Sequence, residues 1–268
     1  MQSRKGYITK IKGNMVSVSF KEPVIQNEVA YIIHNDERLK SEVIRIKGSN
    51  AEMQVYESTA GLKVGQETEF SGELLSVELG PGLLGQIFDG LQNPLPLLAQ
   101  KYGFFLKRGG YLDALSEDFR WEFAPAVREN DSLRAGSKLG FVQEKAFKHY
   151  IMAPFNIPGG VQVVSIAKKG KYGLNEPIAK LRNTDAKEYD VFMKQLWPVK
   201  IPIKAYAEKL KPTQPLVTKM RLIDSLLPVA LGGTYCIHRP FGAGKTVLKQ
   251  LTTRHAEVDI DIIAACGE

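Results

Sequence analysis

Apolar and polar residues alternate over much of the first seventy positions. Val16, Val18 and Phe20 are separated by Ser17 and Ser19, and Ala51, Met53 and Val55 alternate with Glu52, Gln54 and Tyr56. Successive side chains of a strand point to opposite faces, so a period of two marks half-buried strands. Lys47-Gly48-Ser49-Asn50 predicts a turn between two such runs. Several short strands at this spacing predict a small β-barrel. The pattern changes at Glu78. In ELGPGLLGQIFDGLQNPL, residues Leu84, Ile87, Phe88 and Leu91 recur at helical spacing. That predicts a helix packed through its apolar stripe and stopped by Pro94.

From about Tyr111 to Leu181 the chain reads as strands again, with glycines and prolines at turn-like intervals. ENDSLRAGSKLGFVQE followed by IMAPFNIPGGVQVVSI resembles the barrel-sandwich layout of biotinyl and lipoyl carriers. In those carriers a lysine at a hairpin tip holds the cofactor. The expected tip here, Pro158-Gly159-Gly160, has no lysine, which argues against a carrier role and favours a structural or docking insert. KKGKYG, Lys168 to Gly173, is the densest basic patch and predicts a solvated hairpin turn. The last part alternates strand and helix. Thr234 to Ile237 predicts a buried strand and Lys245 to about His255 a helix. Val258 and Ile260 alternate with Asp259 and Asp261, and Ile262 to Cys266 is continuously apolar, as in a central strand of a parallel sheet. Strand, helix, strand is the start of an α/β sheet.

Composition narrows the class. The chain has 268 residues, 44% hydrophobic and 24% charged, which is ordinary for a globular protein with two or three small cores. No run approaches eighteen uninterrupted apolar residues, and MQSRKGYITK lacks an apolar signal region, so a cytosolic protein is expected. Cys236 and Cys266 are the only cysteines and are expected to be buried, reduced thiols. The net charge of +7 suits an anionic partner, but the basic residues are scattered.

The chemistry concentrates in HRPFGAGKTVLKQL, His238 to Leu251. A phosphate-binding loop works by turning backbone N–H groups inward, which glycines permit, and by presenting a helix N-terminus to the anion. Pro240, Phe241, Gly242, Ala243, Gly244, Lys245, Thr246 and Val247 would form that cradle. Lys245 would reach the β- and γ-phosphates of ATP or ADP, and Thr246 would ligate Mg2+. A strict Walker A pattern has glycine where this chain has Arg239. Arg239 precedes Pro240, so its backbone is biased to extended conformations. Weakened rather than abolished binding is expected, so Arg239→Gly should tighten ATP affinity, and an unchanged affinity would remove position 239 from the site. Glu268 follows the last apolar run, near where a γ-phosphate would lie, and could orient an attacking water.

Several segments together resemble the catalytic A subunit of vacuolar- and archaeal-type rotary ATPases. QVYESTAGLKVGQ, VELGPGLLGQIFDGLQNPL, WPVKIP, MRLIDSLLPVALGGT, PFGAGKT and CGE occur in that family's order across nearly the whole chain. The resemblance implies an N-terminal β-barrel (1–70), the first part of a nucleotide-binding core (71–110), an inserted β-rich domain (111–184) and a RecA-like P-loop core, truncated (185–268). It implies ATP hydrolysis or synthesis in a ring of three A and three B subunits, with central rotor and peripheral stalk subunits. Movement of H+ or Na+ would belong to a separate membrane sector, leaving this chain cytoplasmic and peripheral, with no direct nucleic-acid partner. Lys245 and Thr246 match the family's phosphate and Mg2+ residues, and Glu268 its water-activating glutamate. The neighbouring B subunit would supply an arginine. Ala243 stands where eukaryotic members have a redox-sensitive cysteine.

Three departures stand out. Arg239 replaces a loop glycine, Thr218-Lys219-Met220 stands where the family has Thr-Gly-Gln, and the chain stops near the middle of the family's length. The Walker B aspartate, adenine-contacting aromatics and C-terminal helical domain would lie beyond it. The isolated chain is expected to be nearly inactive and its core portion poorly stable. Two other readings remain open: a non-enzymatic assembly scaffold with a vestigial loop, and a ring-shaped RNA helicase or secretion-type ATPase. Tight Mg-ATP binding separates the first from an ATPase, and salt-dependent binding to single-stranded RNA would support the second.

Overall fold

The computed structural model describes residues 4–103, 105–206, 208–238, 240 and 242–266. The chain forms two compact units, Met1–Ala205 and Tyr206–Glu268.

The first unit opens with six strands: β1 (Arg4–Lys12), β2 (Met15–Phe20), β3 (Glu28–His34), β4 (Glu37–Lys47), β5 (Asn50–Val55) and β6 (Glu67–Leu74). They close into an antiparallel barrel in the order β1-β2-β5-β4-β3-β6. The expected alternation holds: Val16 and Val18 of β2 and Ala51, Met53 and Val55 of β5 are buried and meet Ile8, Ile32, Leu39, Val43 and Phe70 in one core. Each such side chain contributes about 1.5–3 kcal/mol when removed from water. The Gly48–Ser49 turn joins β4 to β5, with Lys47 opposite Asn50.

After the barrel come β7 (Ser76–Leu79) and α1 (Leu95–Tyr102). The helix expected over Leu84–Leu91 does not form, and α1 begins only after Pro94. The cause is local. The Asp89 carboxylate accepts hydrogen bonds from the amides of Leu91 and Asn93, each at 2.8 Å, and from Asn93 Nδ2 at 2.8 Å. An Asx-type side chain of this kind captures amides that a helix would need. Pro94 is the N-cap of α1 and Pro96 lies in its first turn, where a missing N–H costs nothing. The expected stripe is therefore not a core stripe, and Ile87 is exposed.

Eight strands follow: β8 (Trp121–Pro125), β9 (Ser132–Arg134), β10 (Lys138–Glu144), β11 (Phe147–Met152), β12 (Gly160–Ile166), β13 (Gly170–Tyr172), β14 (Ala179–Asn183) and β15 (Glu188–Val191). They make two sheets, ordered β11-β10-β8-β13 and β15-β14-β12-β9. Consecutive strands β11 and β12 lie in different sheets, so Pro158-Gly159-Gly160 leads into a crossover and is not a hairpin tip. KKGKYG follows β12 and itself contains β13, so it too lies at a passage between sheets. It is solvated as expected, with Lys168, Lys169 and Lys171 exposed, but it is not a hairpin turn. Strand β16 (Gln195–Pro198) then pairs antiparallel with β7, Leu79 opposite Gln195 and Ser76 opposite Pro198. The chain thus leaves for the two sheets and returns beside its point of departure.

The second unit holds β17 (Pro215–Leu216), α2 (Arg221–Leu226), β18 (Val229–Ala230) and α3 (Lys245–His255). Strands β17 and β18 pair, and α3 spans the residues its sequence predicts. The strands expected at Thr234–Ile237, Val258–Asp261 and Ile262–Cys266 are absent among the described residues. Val258, Ile260, Ile262 and Ile263 are exposed, the last two 88% and 74%. A strand forms only where a neighbour accepts its backbone hydrogen bonds, and a lone two-stranded pair is marginal. For the same reason Cys236 and Cys266 are free but exposed, not buried as expected. Among the described residues no helix is long and apolar enough to cross a membrane.

Candidate functional site

Helix α3 begins on its N-cap Gly244, whose backbone is left-handed (φ 81°, ψ 19°). Gly242 is left-handed too (φ 79°), and a Cβ added to either glycine would meet nothing within 4 Å. The loop therefore folds outward, with its backbone accessible. The Ala243 amide donates to the Pro240 carbonyl at 3.4 Å, and the Leu248 amide closes the first turn on Gly244 at 3.0 Å. No acidic residue lies in that turn, which leaves the positive end of the helix dipole at the loop uncompensated, while Arg254 and His255 in the last turn complement its negative end. Pro240, Gly242, Ala243, Gly244, Thr246 and Val247 are exposed and Lys245 is half-buried. Arg239, Phe241 and Glu268 lie outside the described residues.

This arrangement can hold an anion of phosphate size. Left-handed glycines bring backbone N–H groups to one point, and the helix N-terminus adds its dipole. Among the described residues no group of three or more His, Cys, Asp or Glu side chains could hold a metal alone. A Mg2+ ion here would depend on phosphate oxygens together with the exposed Thr246 hydroxyl. A cavity of about 560 Å3, lined by Met152, Asn156, Tyr189, Phe192 and Lys194 among others, contains none of the loop residues. Phosphate recognition by a loop needs a crown of amides rather than a pit, so the cavity does not compete with the loop as the candidate.

Sequence reasoning missed the support behind this loop. Thr218 is fully buried, and its amide and hydroxyl both donate to Asp224 Oδ1, at 3.0 and 2.6 Å. The Thr218 hydroxyl bond, followed by the backbone bonds from Thr218 and Lys219, holds the Asp224 carboxyl below the usual carboxylate range. Between them sits Lys219 with φ 61°. That left-handed backbone costs a non-glycine residue about 1–2 kcal/mol, which gives a reason for the glycine that the resemblance places here. The Lys219–Glu257 ion pair, 3.4 Å and exposed on both sides, returns only part of this. Lys219→Gly is expected to stabilise the second unit by about 0.5–1 kcal/mol. A fall in its thermal midpoint would contradict the strain argument.

The first unit has a latch of its own. Glu144 is buried and accepts from the amides of Gly82 (2.8 Å) and Leu84 (3.2 Å), with His149 Nδ1 at 2.8 Å. Lys145 Nζ donates to the Leu84 carbonyl at 3.0 Å. GPGLLG is thus pinned to the β10–β11 hairpin. Nothing in the sequence pattern marks Glu144 as a latch, because the amides it holds lie 62 and 60 residues away.

Comparison with known proteins places these features. Residues 8–72 match the family profile described as "ATP synthase alpha/beta family, beta-barrel domain". Residues 112–200 match the one described as "ATPsynthase alpha/beta subunit barrel-sandwich domain". The chain is 53% identical over 268 residues to V-type ATP synthase alpha chain 1 of Treponema pallidum (strain Nichols), covering 100% of this chain and 46% of that protein. It is 54% identical over 268 residues to the V-type ATP synthase alpha chain of Treponema denticola, with the same coverage. To that of Borrelia garinii subsp. bavariensis it is 48% identical over 264 residues, 98% of this chain and 46% of the other. The chain spans about half the length of the curated relatives it matches.

Proposed function

Because the chain belongs to the V-type ATP synthase alpha chain family, we propose that it is the N-terminal portion of the catalytic subunit of a rotary ATPase, carrying the phosphate-binding part of the nucleotide site. The observation that carries this reading is the outward crown at the start of α3: Gly242 and Gly244 left-handed, open space where their Cβ atoms would be, and no acidic residue in the first turn. A nucleotide triphosphate bound there, with Mg2+, would supply the phosphoanhydride bond and the charge neutralisation that its cleavage requires.

The loop residues and Glu268 have distinct parts in this reading. Amides of Gly242 to Val247 hold the phosphates, Lys245 neutralises the β- and γ-oxygens, and Thr246 takes one position on Mg2+. Glu268 would orient the attacking water. In chain order this reading has the barrel at 1–70, the first core segment at 71–110, the inserted strands at 111–184 and the truncated P-loop core at 185–268. The partners would be non-catalytic B subunits alternating with A in a ring, plus rotor and stalk subunits. Transport of H+ or Na+ would fall to the membrane sector, with this chain cytoplasmic and peripheral to it. Alone, the chain would turn over little ATP, because the B-subunit arginine is in trans.

The test is a titration of the chain with a fluorescent ATP analogue, with and without Mg2+. Saturable, Mg-strengthened binding displaced by ATP is expected. Absence of binding in both conditions would return the chain to the assembly-scaffold reading. Binding to single-stranded RNA in its place would favour the helicase reading.

A further inference from the structure

No residue of α3 is buried. A helix that contributes nothing to a core is not positioned by packing, so its orientation must come from discrete contacts. Two contacts with the Val217–Met220 segment lie at its C-terminal end. The Glu257 amide donates to the Val217 carbonyl at 2.9 Å. The Thr252 hydroxyl, which donates to Leu248 O at 2.9 Å, lies 3.6 Å from Met220 Sδ. The Val217–Met220 turn that receives α3 is itself held from behind, by the buried Thr218 side chain on Asp224 of α2 and by the Met220 amide on Thr218 Oγ1 at 3.2 Å.

We propose that Thr218 and Asp224 are positioning residues for the phosphate loop. Their hydrogen bond fixes the Val217–Met220 turn, the turn fixes the C-terminal end of α3, and α3 carries the loop at its other end. This rests on the phosphate-loop reading above and extends it to residues that touch no phosphate. The lever is long: eleven residues make a helix of about 16 Å, so a tilt of about 5° at the clamp moves the loop by more than about 1 Å. Misplacement on that scale is enough to degrade a constellation of charge-assisted bonds. Lys219 and Glu257 add an exposed ion pair that solvent screens, so the clamp does not depend on it.

The experiment compares the 268-residue chain with Thr218→Val, Thr218→Ser and Glu257→Pro. Valine keeps the shape and removes the hydroxyl, and serine restores it. Proline at 257 removes the amide that reaches Val217, together with the exposed Lys219 ion pair that solvent screens. Ala256 (φ −58°, ψ 145°) already has the extended backbone that a following proline demands. Two readouts are taken: hydrogen–deuterium exchange of the α3 amides without nucleotide, and affinity for the fluorescent ATP analogue with Mg2+. Thr218→Val and Glu257→Pro should each raise α3 exchange and weaken binding by about tenfold, with barrel exchange unchanged and serine near wild type. Wild-type exchange in α3 of either variant would overturn the clamp, and so would serine behaving like valine. If Thr218→Val fails to fold the second unit, Glu257→Pro decides alone. Raised exchange with no nucleotide binding in any protein, wild type included, would leave the clamp standing and sink the phosphate-loop reading.

Discussion

Lys245→Ala is expected to weaken Mg-dependent ATP binding by about a hundredfold while leaving the unfolding of the barrel and the two sheets unchanged. Lys245 is the first residue of α3, directly after the left-handed Gly244, so its backbone and its ammonium both belong to the anion-binding end of the helix. A charge-assisted bond to phosphate contributes about 1.5–3 kcal/mol, and the loss extends to the long-range attraction of a polyanion. Thr246→Ala should lose less, and only the part that Mg2+ adds, because its hydroxyl is the candidate metal ligand. The measurement is a titration with a fluorescent ATP analogue at fixed free Mg2+, alongside a thermal melt. Unchanged affinity in Lys245→Ala would mean that nucleotide, if bound, is held elsewhere.

The second large effect is one of stability. Glu144→Ala is expected to destabilise the first unit by about 3 kcal/mol, and Glu144→Gln by less than about 1 kcal/mol. Alanine strands two amides, those of Gly82 and Leu84, and removes the partner of His149. Glutamine retains a carbonyl oxygen that can accept from both amides, and its NH2 can donate to a neutral His149. The contrast separates a hydrogen-bonding latch from a charge effect: equal losses in the two variants, measured by urea unfolding, would show that the charge itself is what matters. Lys145 Nζ still reaches the Leu84 carbonyl in either variant, which keeps the cost below that of losing the whole contact.

The two effects differ in how visible they are from the chain alone. The glycine-rich loop and its helix are legible because their conformation is local. Gly242, Gly244, Lys245 and Thr246 are near neighbours in sequence, and backbone freedom followed by a helix start is all the crown needs. The barrel is legible for the same kind of reason, since alternation along β2 and β5 decides which side chains enter the core. Lys219 stood out as a departure from a resembled glycine, but only its φ of 61° explains why glycine suits that position. Arg239, Phe241 and Glu268 remain expectations, because they lie outside the described residues.

The misread segments have two causes. Leu84–Leu91 has helical spacing, but spacing does not report that Asp89 will take the amides of Leu91 and Asn93 for itself. Thr234–Ile237 and Ile262–Cys266 have strand composition, but a strand is a relation between two segments, and among the described residues these have none. The sequence by itself determined the alternating strands of the barrel, the glycine-rich loop and the helix that follows it. Tertiary structure alone decided that β11 and β12 part into different sheets, that Glu144 reaches back to Gly82, and that Thr218 and Asp224 brace α3. Those contacts join residues whose partners the local pattern cannot name, and their hydrogen bonds form only where the fold has already brought the groups together.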